Sequence, residues 1–126
     1  MIVGIGSDIV SVKRMQDHVG KKDDAFAKRV LVDHEWEQYS ASKRPEAVLA
    51  KRFAVKEAAA KALGTGFAEG VTWRHISTEH DEAGRPILKL TDAALARAQQ
   101  LGATDYHLTI SDEKEVAVAF VILEKN

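Results

Sequence analysis

There is no cysteine in this chain of 126 residues, which excludes disulfides and thiolate metal sites. Aromatics make up 6% and no segment is strongly basic, a poor match to a nucleic-acid interface. No apolar run reaches the ~20 residues that a membrane-spanning helix needs. The first residues are apolar only briefly, lack a basic leader and include Asp8, so no signal peptide is expected and the expected location is the cytoplasm. Repeats and low-complexity segments are absent. Proline occurs twice, and both copies mark element boundaries below.

What is present fits an ordinary globular protein, with 45% apolar and 29% charged residues. The length predicts one domain over residues 1–126. Net charge is −1, unevenly spread: residues 1–61 carry 12 Lys/Arg against 9 Asp/Glu, and residues 62–126 carry 6 against 10. The first half therefore suits phosphates or an acidic partner, although a difference of this size also arises by chance.

Residues 2–10 read as a buried strand with small glycines. Residues 11–19 read as a short helix with Ser11 as candidate N-cap, and 24–32 as a second, with Phe26, Val30 and Leu31 on its apolar side. Asp33 is expected to cap a third helix, whose first turn holds Glu35 and Glu37 at the positive end of the dipole. Pro45 suits the first turn of a long helix and Gly64 its C-terminal stop. Residues 71–80 and 86–90 read as strands around the turn Asp81 to Gly84. Thr91 is a candidate cap for a helix stopping at Gly102, and residues 106–111 and 116–124 form a hairpin. Helices early and strands late predict an α+β class, a mainly antiparallel sheet packed against the long central helix.

The chemistry concentrates in Arg52-Phe53-Ala54-Val55-Lys56-Glu57-Ala58-Ala59-Ala60-Lys61, followed by Gly64-Thr65-Gly66. Phe53, Glu57 and Lys61 recur every four residues and share one helix face. A carboxylate and an ammonium there suit a metal and a phosphate. The same spacing also describes a plain surface ion pair, worth only ~0.2–0.5 kcal/mol. Asp8 interrupts an apolar strand, where a carboxylate needs a partner or a metal; capping the following helix is the alternative. Gly64 to Gly66 would let backbone approach a ligand, or simply end the helix. Gly4 and Gly6 do not make a dinucleotide-binding loop, because no strand precedes them and no third glycine opens a helix. His75, His80 and His107 stand singly, with no zinc-like spacing.

Taken together, Gly4-Ile5-Gly6-Ser7-Asp8-Ile9, the Arg52 to Lys61 helix, Gly64-Thr65-Gly66, Gly84-Arg85-Pro86 and the His107 to Leu123 hairpin resemble the holo-[acyl-carrier-protein] synthases, over nearly the whole chain. The resemblance implies a 4'-phosphopantetheinyl transferase-like fold and transfer of 4'-phosphopantetheine from coenzyme A to a serine of acyl carrier protein. It implies Asp8 and Glu57 as ligands of Mg2+, and Asp8, Glu57 and Lys61 as the catalytic group. Two carboxylates plus substrate phosphates are the usual setting for Mg2+. It also implies that Arg52, Lys56, Gly64, Thr65 and Gly66 hold coenzyme A phosphates and that Arg85 and Pro86 lie near the nucleotide. Arg52 and Lys56 otherwise read as a solvated helix face. By the same resemblance the protein is a homotrimer, with the carrier docking on Arg14, Lys22 and Arg29; ordinary solubilising charges are the alternative there. One departure is Asp112, where some members carry a histidine, so any role of that histidine does not carry over.

Overall fold

The computed structural model describes all residues, 1–126. In chain order the elements are β1 (Ile2–Ser11), α1 (Val12–Gln16), α2 (Ala25–Val30), α3 (Asp33–Ala41), α4 (Pro45–Leu63), β2 (Ile76–His80), β3 (Pro86–Leu90), α5 (Asp92–Gln100), β4 (Asp105–Asp112) and β5 (Val116–Glu124). Strands β1, β5 and β4 form an antiparallel sheet in that order, and β2 and β3 form a separate hairpin. The class is α+β, with the antiparallel sheet laid against α4.

Pro45 occupies the first turn of α4, and Gly64 closes it in the left-handed conformation at φ 78°. Of its 19 residues 12 are buried, on all sides, which makes α4 the core rather than a surface helix. It packs on β1, β5, α1 and α3 and reaches β2. The alanines permit this close packing. A Cβ placed on Gly6 would lie 2.0 Å from the Ala58 carbonyl oxygen, and one on Gly4 2.2 Å from that of Ala62. Glycine in β1 and alanine in α4 therefore bring backbone against backbone, and this contact sets the site.

Strand β1 is buried on one face only. Gly6 and Val10 point to α4, while Ile5 and Ile9 are exposed on the outer face of the sheet. Three helices are displaced from the sequence expectation. The second covers only Ala25–Val30, after Lys22, Asp23 and Asp24 at φ 49°, 60° and 58°. Asp24 holds that left-handed run by accepting from Gly20 N–H and the Tyr39 hydroxyl, each at 2.7 Å. The third helix has Val32, not Asp33, at its N-cap, and the first covers only Val12–Gln16. Glu35 does stand in the first turn of the third helix, where its Oε1 accepts from Val32 N–H at 3.2 Å, but it is fully buried. Residues 73–75 are a 3₁₀ turn rather than strand, and the Trp73 carbonyl accepts from Lys56 instead of joining a ladder. No helix is long and apolar enough to cross a membrane.

Candidate active site

The β1–α4 contact places Asp8 beside the last turn of α4. Lys61 Nζ donates to Asp8 Oδ1 at 3.0 Å and to the Ser7 carbonyl at 2.9 Å. The Asp8 side chain is 19% exposed and that of Lys61 55%. Asp8 does not cap α1: Ser11 Oγ takes that role, accepting from Arg14 N–H at 3.1 Å. Lys61 binds Asp8 rather than Glu57, so the simple i, i+4 surface pair is not formed.

Glu57 sits one turn before Lys61 and is half-buried. Burial is the main influence and pushes its carboxyl up. The Trp73 indole N–H pulls it down, the Asp8 charge pushes it up, and Lys61 and Arg14 pull it down. The two carboxylates thus feel each other, and Lys61 and Arg14 offset the repulsion. The Trp73 Nε1 is buried and closes no hydrogen bond of good geometry.

Residues 4–120 match the family model described as the 4'-phosphopantetheinyl transferase superfamily. The chain belongs to that superfamily. A holo-[acyl-carrier-protein] synthase of Photorhabdus laumondii is 51% identical over 124 residues, covering 98% of each chain. The crystal structure of the Neisseria meningitidis holo-[acyl-carrier-protein] synthase superposes at TM-score 0.88 with 42% identity, covering 99% of this chain and 100% of that one. A Bacillus anthracis synthase in complex with CoA (3',5'-ADP) superposes at 0.83 with 37% identity, covering 100% of this chain and 99% of that one. Within the superfamily, this transferase groups with the holo-[acyl-carrier-protein] synthases.

Asp8 and Glu57 are the two carboxylates of this site that would supply hard oxygens if Mg2+ were bound. No cluster of three or more His, Cys, Asp or Glu exists, so water and phosphate would complete any coordination shell. The residues fit the ion: two mutually repelling carboxylates are what a divalent cation relieves.

Lys56 corrects one expectation. Its side chain is fully buried, paired with Glu35 at 2.8 Å and donating to the carbonyls of Trp73 and Ile76. It has no free N–H for a coenzyme A phosphate and is not on a solvated face. Arg52 is also buried, with Nε donating to Gln38 Oε1 at 3.3 Å. Burial pulls both groups below their usual range, partly opposed by Glu35. In Gly64-Thr65-Gly66 both glycines have positive φ, and Thr65 Oγ1 donates to the Gly66 carbonyl at 2.9 Å. Gly64 is a helix cap and also opens this loop. Arg85 lies in a turn paired with Asp81 at 3.3 Å, lining with Pro86 and Tyr106 a pocket of about 250 Å³. That pocket adjoins β4, at the opposite edge of the sheet from β1, so one chain does not bring Arg85 to Asp8.

Lys22 and Arg29 rim a groove of about 440 Å³ floored by Phe26 and His18, whose rings stack at 4.2 Å. Arg14 lies nearer the site, close enough to influence Glu57. Two residues escaped the sequence reading. Glu35 looked like a dipole partner, and Trp73 like the start of a strand. A carboxylate among apolar helix positions, and an aromatic just past a glycine loop, were the available signals.

Proposed function

We propose that the chain transfers 4'-phosphopantetheine from coenzyme A to a serine of acyl carrier protein, using Asp8, Glu57 and Lys61. The observation that carries this is the Asp8–Lys61 pair beside Glu57, assembled by the Gly4 and Gly6 contacts with α4. The serine oxygen forms a bond to the phosphorus next to pantetheine. The bond from that phosphorus to the bridging oxygen breaks, adenosine 3',5'-bisphosphate leaves with that electron pair, and the serine proton passes to water at the site. Lys61, more than half exposed, reaches the departing oxygen and steadies its charge. Asp8 holds the Lys61 ammonium in place. Asp8 and Glu57 would hold Mg2+, whose chemistry there is neutralisation of pyrophosphate charge. The Gly64 to Gly66 backbone lines the phosphate approach, and Arg85 with Pro86 contacts the nucleotide.

The same reading includes a homotrimer. Ile5 and Ile9 on β1 are 60% and 65% exposed, and Phe120 on β5 pairs with Ser7 on the same outer face. An apolar sheet face of this kind favours burial against other copies. A neighbouring chain would also bring its Arg85 pocket to the Asp8 edge. The carrier docks its acidic surface on Arg14, Lys22 and Arg29 around the Phe26 groove. Mass spectrometry of apo-carrier incubated with coenzyme A and Mg2+ tests the activity; an unmodified carrier overturns it. Light scattering tests the assembly, the expected mass being three times 13.8 kDa.

A further inference from the structure

Lys22, Asp23 and Asp24 stand one after another in the left-handed region, at φ 49°, 60° and 58°. Residues with a Cβ rarely enter it and then singly, aspartate more readily than most. A run of three that includes a lysine persists only when its surroundings hold it. Asp24 opens α2, yet its carboxylate makes no hydrogen bond to that helix, as a capping aspartate would. Its Oδ1 instead accepts from Gly20 N–H and from the Tyr39 hydroxyl on α3, each at 2.7 Å. Tyr39 is 4% exposed. Burial first, then the bond to Asp24, pushes its hydroxyl up and keeps it a donor. A second tie runs beside the first. Asp23 pairs with Lys28 at 3.1 Å, and Lys28 lies over the Trp36 ring at 5.7 Å. Both ties end on α3, which the buried Glu35–Lys56 pair fastens to α4.

The basic groove is lined from both sides of this run. His18, Lys21 and Lys22 reach it from one side in the chain, and Ala25, Phe26 and Arg29 from the other. The His18 and Phe26 rings stack at 4.2 Å between the two sets. The backbone of residues 22–24 therefore sets how the two linings face each other. We propose that Asp24 is a positioning residue for the carrier: held by Tyr39 and Gly20, it locks residues 22–24 left-handed and fixes the groove that receives the carrier's acidic surface. This deepens the docking proposed above and rests on it. Charge alone predicts the opposite sign, since a carboxylate beside the groove repels an acidic partner and its removal should help binding.

The test is steady-state kinetics with carrier and coenzyme A varied in turn, on Tyr39→Phe, Asp24→Ala and Asp24→Asn, with Arg14→Glu and Arg29→Glu in parallel. Tyr39→Phe keeps the ring and every charge and removes only the donor. It should raise the KM for carrier about tenfold, the scale of one hydrogen bond to a charged group, while kcat at saturating carrier and the KM for coenzyme A hold. Asp24→Ala should raise the carrier KM at least as much. Asp24→Asn keeps an accepting oxygen and tolerates left-handed backbone, so it should bring the carrier KM back to the parent's or below. If the arginine variants raise the carrier KM and Tyr39→Phe does not, the docking reading stands and the positioning role is overturned. If neither arginine variant raises it, the docking reading falls and the positioning role with it. A lower carrier KM in Asp24→Ala makes Asp24 a repelling charge only and overturns the proposal. A Tyr39→Phe variant that loses kcat, or affinity for both substrates alike, shows general loosening and overturns it too. Should Asp24→Ala melt well below the parent, Tyr39→Phe decides, because it alters neither charge nor ring.

Discussion

Two carboxylate–lysine pairs hang from one helix and differ in almost nothing but water. Lys61 meets Asp8 at 3.0 Å with its side chain 55% exposed. Lys56 meets Glu35 at 2.8 Å with both side chains fully buried. The exposed pair contributes little to stability, since pairs of this kind are typically worth ~0–1 kcal/mol. Its ammonium gives two N–H groups to Asp8 and the Ser7 carbonyl and keeps one free. The buried pair is saturated: Glu35 also accepts from Val32 N–H at 3.2 Å and Thr78 N–H at 3.0 Å, and Lys56 from its side gives to two carbonyls. That pair ties α3, α4 and β2 together and has nothing left to bind. Positions five residues apart on α4 thus divide into one exposed lysine, the one the proposed mechanism uses, and one structural lysine.

The sharpest way to break this comparison is at the reactive end. Glu57→Gln removes a charge from the site and keeps the shape. Activity should fall on the order of 10²–10³-fold, the scale for losing one electrostatic element of a transition-state site, with the fold intact. Asp8→Asn should behave alike, because it removes both a ligand and the Lys61 partner. Carrier modification followed by mass spectrometry at limiting Mg2+ reads the effect. Near-normal turnover by both variants would remove the exposed cluster from the chemistry.

At the structural end the expected loss is in stability. Glu35→Ala leaves Lys56 buried without a counter-charge, a change that costs about 3–5 kcal/mol. Replacing both, Glu35→Leu with Lys56→Met, removes the stranded charge but takes the acceptor from Val32 N–H and Thr78 N–H and the lysine donor from the Ile76 carbonyl. The double variant should therefore recover part of the loss and keep a deficit of about 1–3 kcal/mol. Urea unfolding of the three proteins measures it. A single variant as stable as the parent would show that the pair is not a strut.

The two lysines also show what the sequence could and could not say. Their spacing relative to Glu57 predicts that Glu57 and Lys61 share a face, and they do. Burial of Lys56 depends on α3 and β2, which converge on α4 from 20 residues away on either side, and local periodicity carries no such information. The boundaries of α4 were legible because proline and glycine act locally. Strand β1 was legible as a strand, yet the role of Gly4 and Gly6 was not, since it is set by the Ala58 and Ala62 carbonyls. That Lys56 is buried and saturated, rather than turned to a phosphate, was illegible for the same reason. Asp8 was legible because a carboxylate in an apolar strand demands a partner; that the partner is Lys61 rather than a helix cap required the fold.

A smaller effect concerns the basic groove. Arg14→Glu and Arg29→Glu reverse exposed charges, which steer encounter more than they add affinity and are screened over ~8–10 Å at physiological salt. The KM for carrier should rise severalfold and its salt dependence flatten, measured at two ionic strengths. For Arg29→Glu the KM for coenzyme A should hold. For Arg14→Glu it should move somewhat, because Arg14 acts on Glu57. An unchanged carrier KM in both would take the groove out of the docking surface.

The smallest expected effect is a pH dependence at Glu57, beside the exposed pair. Burial raises the Glu57 carboxyl above its unfolded value. A group raised in the folded state favours folding below its unfolded pKa, and that contribution is lost as pH rises through the folded pKa. Without metal, the ionised Glu57 is thus a small burden on the fold at neutral pH, lifted on acidification. Glu57→Gln removes the burden, so the metal-free variant should unfold at slightly higher urea than the parent at pH 7. The advantage should shrink as pH falls through the carboxylate range, where the parent also becomes neutral at this position. Lys61→Ala, at the exposed pair, should change metal-free stability by no more than about 1 kcal/mol. Urea midpoints at a series of pH values, in chelator, read both. A Glu57→Gln variant less stable than the parent at pH 7 would mean that the carboxylate holds the fold as Glu35 does, and the division of labour along α4 would have to be redrawn.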